Sequence, residues 1–191
     1  KIIMSELKEA GIICWIAGGA IRDYFMGVPI KTDHDLFFPN EGEFNKCAVW
    51  FKAKEATVKW ESDNGMKVVY GGRTYDLIKH YFAGPQETID NFDFTACMLA
   101  VDNERVYHGE STFIDLAKRQ LIIHKLDHPA STMSRAFRYY KKGFSMCVGE
   151  MAKLVRAIQD MPKEDDTHTE APGGSNEPPS GDKDSRLFIG I

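Results

Sequence analysis

The sequence predicts an α/β domain of the α+β kind. A strand, a glycine turn, a helix and a second strand follow one another within residues 12–38. Three strand-like segments separated by turn residues then fill residues 56–80, which is typical of a meander. Two segments with helical spacing, 131–143 and 149–161, complete the part of the chain that can bury apolar surface.

The remaining elements follow from the apolar pattern and its turn residues. Gly11, Gly27 and Pro39 mark the ends of the first elements, because glycine favours helix ends and proline interrupts both helices and strands. The predicted helices cover 1–10, 20–26, 42–55 and 111–120, and the predicted strands cover 12–17, 33–38, 56–61, 66–70, 73–80, 94–102 and 105–109.

Length and composition indicate one domain with an appendage. The chain has 191 residues and is 43% hydrophobic, which is enough for a buried core. No apolar run reaches the roughly 18 residues that a membrane span needs, and no signal peptide is visible. We therefore expect a soluble cytoplasmic protein without a membrane partner. Four scattered cysteines without a paired spacing predict buried free thiols and no zinc site.

The charge is concentrated in the C-terminal segment. Residues 162–186 hold seven acids and three bases, so they account for the whole net charge of −4. The neutral remainder argues against broad nucleic-acid coating. Residues 162–191 are rich in Pro, Gly, Ser and acid, which predicts a flexible acidic tail. Its apolar end, 187–191, is expected to dock on a protein partner; the alternative is a frayed end.

Two pieces of residues 17–38 have a chemical interpretation. Gly18-Gly19 between a strand and a helix can present backbone N–H groups to phosphate, although such a pair more often marks only a tight turn. Asp33 and Asp35 alternate on a strand, so both side chains face one side and His34 faces the other. Paired carboxylates suit Mg²⁺, whereas the alternative is one capping and one solvated aspartate.

Taken together, "GGAIRDYFMG" and "DHDLFF" resemble the signature of the polymerase-β-like nucleotidyltransferase superfamily. The nearest branch is that of the tRNA CCA-adding enzymes and bacterial-type poly(A) polymerases, in the catalytic head domain. Three further segments resemble that family in the same order: 92–102, 113–121 and 132–144. The resemblance implies a mixed, mainly antiparallel sheet with helices on one face. It also implies a head over 1–126, a short helical neck over 127–161 and the tail over 162–191.

The resemblance also implies roles for individual residues. Asp33 and Asp35 would bind two Mg²⁺ ions, with Mn²⁺ as a substitute, and Asp76 would supply a third carboxylate; the alternative for Asp76 is an exposed strand residue. The nucleotide-binding residues would be Gly18, Gly19, Arg22, Asp93, Arg135 and Arg138. For Arg22 there are two alternatives, a phosphate contact or a structural bond to Asp23.

The implied reaction is transfer of a nucleotide from ATP or CTP to an acceptor hydroxyl, with an RNA 3′ end as the favoured acceptor and pyrophosphate as the product. Several positions depart from the family pattern: Thr32 is an added residue, and Phe92 and Cys97 replace an arginine and an asparagine. The motif that reads C and A is not recognisable in 127–135. Two alternatives therefore stay open, namely transfer to a protein or small molecule, and a non-catalytic binding module.

Overall fold

A single mixed sheet of seven strands forms the centre of the protein. The computed structural model describes residues 2–30 and 33–162. The strand order is β3-β4-β5-β2-β1-β6-β7. Only β2 and β5 pair in parallel, and the other neighbours are antiparallel. The strands are β1 (Trp15–Ala17), β2 (His34–Phe38), β3 (Thr57–Ser62), β4 (Gly65–Tyr70), β5 (Arg73–Tyr81), β6 (Leu99–Val101) and β7 (Val106–His108).

Seven α-helices are described around this sheet. Asn40 caps α3 by accepting a hydrogen bond from the Glu43 backbone N–H, and Pro85 begins α4, where its missing N–H costs nothing. The helices are α1 (Ile2–Glu9), α2 (Gly19–Phe25), α3 (Glu41–Ala53), α4 (Pro85–Asp90), α5 (Thr112–Ala117), α6 (Pro129–Tyr140) and α7 (Val148–Gln159). A short 3-10 helix, Thr95–Cys97, precedes β6.

The predicted class is confirmed, with three local differences. Helices α3 and α4 pack on opposite faces of the sheet, whereas the resemblance implied helices on one face. The segment 94–102 is a strand only at β6, because the Thr95 backbone N–H donates to the Ile122 carbonyl and Phe94 bridges to Ile123. Helix α4 was not predicted. Residues 163–191 of the predicted tail and the added residue Thr32 lie outside the described residues, and the domain boundary at residue 126 stays a prediction.

Aromatic side chains fill both sides of the sheet. On one side, Phe44 of α3 packs edge-to-face on Phe38 at 5.6 Å between ring centres. On the other, the Trp15 indole N–H donates to the Thr88 hydroxyl of α4 at 2.8 Å, and Trp15 pairs across the sheet with Phe37. The carboxylates described below therefore stand on a sheet that is packed on both faces.

No helix of the described residues is both long and apolar enough to cross a bilayer. All four cysteines are free thiols; Cys147 is exposed, and Cys14, Cys47 and Cys97 are buried. The expectation of buried thiols therefore holds for three of them. For Cys14, burial is the main reason that the thiol pKa is raised to about 12.

Replacing Gly65 should test the β4–β5 packing. A Cβ at Gly65, where φ is +156°, would lie 2.3 Å from the Leu77 carbonyl oxygen. We expect G65A to lower the free energy of unfolding by about 3 kcal/mol, because the added methyl group would force the backbone at Leu77 or at residue 65 to move. The matched control is G71A, which also has positive φ but meets nothing within 4 Å, and it should lose about 1 kcal/mol. Urea unfolding measures both, and equal losses would contradict the packing described.

Candidate active site

Three neighbouring strands place acidic side chains side by side. In the parallel pair of β2 and β5, Asp35 lies directly opposite Asp76. In the antiparallel pair of β4 and β5, Lys67 lies opposite the same Asp76. Asp33 precedes β2 and reaches Lys67 from the β2 side. The sheet register therefore assembles three carboxylates and one ammonium group in one row.

Lys67 is the cation of this row. Its Nζ donates to Asp33 Oδ2 at 2.6 Å and lies 3.2 Å from Asp76 Oδ2. Burial alone would lower the pKa of Lys67, but the hydrogen bond from Lys67 to Asp33 and the charge of Asp76 outweigh burial and raise it. Lys67 is therefore held as an ammonium group between two carboxylates.

Asp35 is the most deeply buried carboxylate of the row. Its exposed fraction is 8%, and burial is the main cause that raises its pKa well above the ordinary value. The neighbouring charges of Asp76 and then Asp33 raise it further, while Lys67 acts in the opposite direction. The pKa of Asp76 is also raised, chiefly by burial. One ammonium group thus leaves the negative charge of this row incompletely balanced.

The donor set fits a divalent cation. Asp76 Oδ1 is buried without a hydrogen-bond partner, which is a costly state for a carboxylate oxygen unless a cation or donor reaches it. Carboxylate oxygens are the ligands that Mg²⁺ and Mn²⁺ prefer. Among residues 2–30 and 33–162, no three acidic, His or Cys side chains already converge on one ion position. That result agrees with Asp33 being engaged by Lys67.

His34 lies away from this row, as alternation along β2 predicts. Its ring packs against Tyr75 at 5.3 Å between ring centres, and its Nδ1 lies 3.4 Å from the Thr74 carbonyl oxygen. Burial is the main cause that lowers its pKa. His34 therefore supports the strand pair and does not contribute to the acidic row.

The glycine turn comes next to the carboxylates. Ala17, the last residue of β1, pairs with Asp35, so Gly18 follows at the same end of the sheet. Gly18 has φ +80°, and a Cβ there would lie 3.6 Å from the Phe92 ring and 3.9 Å from Asp35 Oδ2. Phe92, which departs from the family pattern, is buried and packs on Phe37. It forms an apolar wall beside the turn.

Arg22 is buried at the base of this turn. Its exposed fraction is 1%, and both Nε and Nη2 donate to Asp23 Oδ1. Its guanidinium also lies over the Tyr139 ring at 5.0 Å, where a cation–π attraction adds to the pair. Of the two roles considered for Arg22, these contacts correspond to the structural bond to Asp23.

Helix α6, which lies in the predicted neck, is joined to the segment before the 3-10 helix through Asp93. Asp93 Oδ2 accepts from Arg135 Nε at 2.5 Å and from the Thr132 hydroxyl at 2.9 Å, both on α6. Arg135 is 7% exposed, whereas Arg138 on the same helix is exposed to solvent. The structure thus brings Asp93 and Arg135 together in a buried ion pair and leaves Arg138 at the surface.

A family model matches the part of the chain that contains the acidic row and the glycine turn. The model of the Gabija anti-defense 2 family, Gad2, matches residues 2–119, more than half of the chain. The chain belongs to the Gad2 family. A comparison with curated proteins finds no match. The residues matched in this Gad2 protein include Asp33, Asp35, Asp76 and the glycine turn, and end before α6.

Solved structures show that this Gad2 protein has the nucleotidyltransferase fold. A tRNA nucleotidyltransferase complexed with a primer tRNA and an incoming ATP analogue matches with a TM-score of 0.62 and 17% identity over 82% of this chain. The Bacillus stearothermophilus CCA-adding enzyme in complex with CTP matches with 0.65 and 21% over 83%. The chain spans 50% and 42% of those two proteins.

A third match is the Thermotoga maritima CCA-adding enzyme complexed with tRNA, with a TM-score of 0.61 and 15% identity. It covers 83% of this chain, which spans 41% of that protein. At these identities the likeness establishes the fold, and it confirms the resemblance drawn from the glycine and aspartate motifs. It assigns no individual residue a role.

Sequence analysis missed Lys67, although a signal for it exists. Gly71 and Gly72 both have positive φ, as the two central residues of a tight hairpin turn require. Such a turn sets the register, and counting outward from it pairs Lys67 with Asp76. The pairing of Asp93 with Arg135 had no comparable local signal, because 42 positions separate them.

Removing the charge of Asp35 should stabilise the metal-free protein at high pH. The folded pKa of Asp35 lies above the ordinary value of 3.8, so the folded state holds this proton more tightly than the unfolded state does. Stability from Asp35 is therefore present near pH 4 and is lost as pH rises through the folded pKa. We expect D35N to exceed the wild type in free energy of unfolding at pH 8 in EDTA, with the difference shrinking toward pH 4.

Denaturant unfolding across pH 4–8 measures that difference. D63N, in the exposed turn between β3 and β4, is the matched control and should follow the wild type. A D35N protein that is less stable than the wild type at pH 8 would contradict the unbalanced charge described for the row.

Removing the Arg135 side chain should loosen the neck. R135A leaves the Asp93 carboxylate with only the Thr132 hydroxyl in a site where its side chain is 14% exposed. We expect a loss of about 3 kcal/mol in the free energy of unfolding, as for other broken buried pairs. R138A changes an exposed arginine on the same helix and should stay within about 0.5 kcal/mol of the wild type. Equal effects of both variants would contradict the assignment.

Proposed function

We propose that this Gad2 protein is a metal-dependent nucleotidyltransferase that counteracts Gabija defence by transferring a nucleotide from ATP or CTP to an acceptor hydroxyl. One observation carries the proposal: strand register aligns Asp35 with Asp76 in the nucleotidyltransferase fold, with Asp33 beside them. Asp35 is buried beside the largely buried Asp76, which is costly for stability, so the presence of this pair favours a functional role.

In this proposal Asp33, Asp35 and Asp76 hold the divalent ions, two Mg²⁺ during turnover or Mn²⁺ in their place. When bound, the ions stabilise negative charge on the phosphates and ease ionisation of the acceptor hydroxyl. The contribution of the chain is to keep three carboxylates ionisable and aligned at one end of the sheet. The buried rings of Phe92 and Phe37 pack on each other beside these carboxylates. They exclude water from one side of this end of the sheet.

The nucleotide would lie beside the turn formed by Gly18 and Gly19. The position of Gly18 supports this placement, since a Cβ there would lie 3.9 Å from Asp35 Oδ2, and its φ of +80° is one that other residues rarely adopt. The triphosphate would then face the carboxylates. Arg138 has the exposure needed to meet phosphate, whereas Arg22 and Arg135 are engaged by Asp23 and Asp93 and would act by holding the turn and the neck.

Asp93 is proposed to sit at the ribose end of the nucleotide, with Arg135 and Thr132 fixing its carboxylate. The favoured acceptor remains an RNA 3′ end, since two of the similar structures contain tRNA. This chain spans half of those proteins or less, so another acceptor, a protein or a small molecule, is the alternative. The three kinds of acceptor differ in which product, RNA, protein or small molecule, would carry the transferred nucleotide after the reaction.

Substituting the row should abolish transfer without unfolding the protein. We expect D35N, D76N and D33N each to lower incorporation of ³²P from α-labelled ATP or CTP at least about hundredfold, because each removes charge needed to hold a catalytic cation. D63N is the matched control in an exposed turn and should keep wild-type activity. Label in RNA, in protein or in small molecules is separated by nuclease digestion and gel electrophoresis.

The same variants test the connection to defence. In cells that carry Gabija, expression of the wild type and of D63N should remove Gabija protection, and expression of D35N should leave it intact. Removal of protection by D35N with undiminished strength would contradict a catalytic mechanism and favour the non-catalytic binding module. Protection that even the wild type leaves intact would contradict the proposed action against Gabija.

A further inference from the structure

The Lys67 ammonium occupies the space between two of the three carboxylates. Its Nζ lies within ion-pair distance of Asp33 at 2.6 Å and of Asp76 at 3.2 Å. Its side chain is 26% exposed and lies 6.0 Å from the centre of the Trp60 ring. Register fixes this position, because Lys67 is the cross-strand partner of Asp76. A cation is therefore already built into the acidic row.

Some carboxylate oxygens of the row form no ion pair with Lys67, and they indicate where a metal ion would bind. Both of its ion pairs within the described part of the chain involve Oδ2 atoms, one on Asp33 and one on Asp76. Asp76 Oδ1 is buried without a hydrogen-bond partner, and Asp35, its partner on β2, is 8% exposed. Two groups therefore form no ion pair with Lys67, namely the Asp35 carboxylate and the Oδ1 atom of Asp76, and we call them the inner side of the row. Lys67 pairs with the Oδ2 atoms of Asp33 and Asp76 on the other side.

The net charge of the row also indicates that it accommodates one divalent ion while Lys67 is in place. Three ionised carboxylates and one ammonium group leave two negative charges, which a single divalent cation would balance. A second divalent cation would bring the row to a net positive charge while Lys67 stays in place. Two divalent ions and the Lys67 ammonium group would lie close together in this row, and like charges repel strongly where solvent is partly excluded. Two divalent ions and Lys67 therefore compete for the same carboxylates.

We propose that Lys67 takes the place of one divalent ion in the resting protein, which consequently binds a single ion through Asp35 and the inner oxygen of Asp76. Asp33 becomes a metal ligand only when Lys67 leaves it. This inference rests on the proposed function, since it concerns the same site. It assigns Lys67 a positioning role that separates metal loading into two stages.

A purely structural ion pair predicts something different. If Lys67 only joined β4 to the loop before β2, its removal would change stability but not the number of ions bound. Counting bound ions therefore separates the two interpretations, and it requires no turnover. Mn²⁺ serves as the probe, because free and bound Mn²⁺ are distinguished directly by their paramagnetic resonance signals.

The experiment titrates the full chain with Mn²⁺ in the wild type, K67M, K67R and K52M. We expect one ion per chain for the wild type and two for K67M, with the first ion bound at least about tenfold more tightly in K67M. K67R keeps the positive charge and should bind one. K52M removes the exposed ion pair of Lys52 with Glu61 and should match the wild type.

Variants of the acids keep the inference testable if K67M fails to fold, which circular dichroism would show. D33N should still bind one ion with an affinity within about threefold of the wild type, because Asp33 is engaged by Lys67. D35N should bind none. Loss of the single ion in D33N would overturn the inference even with Lys67 intact.

The remaining outcomes separate this inference from the proposed function. Two ions in the wild type, or the same number and affinity in wild type and K67M, would overturn the role of Lys67 and leave the proposed function standing. No Mn²⁺ bound by the wild type or by K67M at millimolar concentration would overturn both.

Discussion

The structure depends on the placement of like charges beside one another in a packed sheet. Asp35 and Asp76 are cross-strand partners in the parallel pair of β2 and β5, and both are largely buried. Neighbouring carboxylates repel, and burial removes the water that would otherwise screen them. The strands on either side must be rigid enough to hold them together, and the aromatic packing of Phe37, Phe38 and Phe44 supplies that rigidity.

Two features flank the neighbouring carboxylates of Asp35 and Asp76. On the β4 side, Lys67 reduces the repulsion with an ion pair to each of two acids. On the β1 side, the chain turns at Gly18 and leads into α2. The guanidinium of Arg22 in α2 lies over the ring of Tyr139 in α6. The neck therefore contributes to the same end of the sheet as the acids. The buried pair of Asp93 with Arg135 fastens the neck there.

Much of this could be read from the sequence where the signals are local. Alternation placed Asp33 and Asp35 on one face, and glycine and proline marked the ends of α2 and β2. The apolar residues of segment 94–102 predict one strand, but the structure has a 3-10 helix at Thr95–Cys97. There Phe94 bridges to Ile123, and the Thr95 backbone N–H donates to the Ile122 carbonyl. The resemblance implied a nucleotide-binding role for both Arg135 and Arg138. Only the docking of α6 on the head shows that Arg135 is buried against Asp93.

In the proposed function, the acidic row and the glycine turn together form a site for a divalent cation and a nucleoside triphosphate. A crystal structure with Mn²⁺ and a non-hydrolysable ATP or CTP analogue tests it most directly. We expect anomalous density for Mn²⁺ at Asp35 and Asp76, with the triphosphate beside Gly18 and Gly19. An analogue bound elsewhere on the protein, with no Mn²⁺ at these carboxylates, would contradict it.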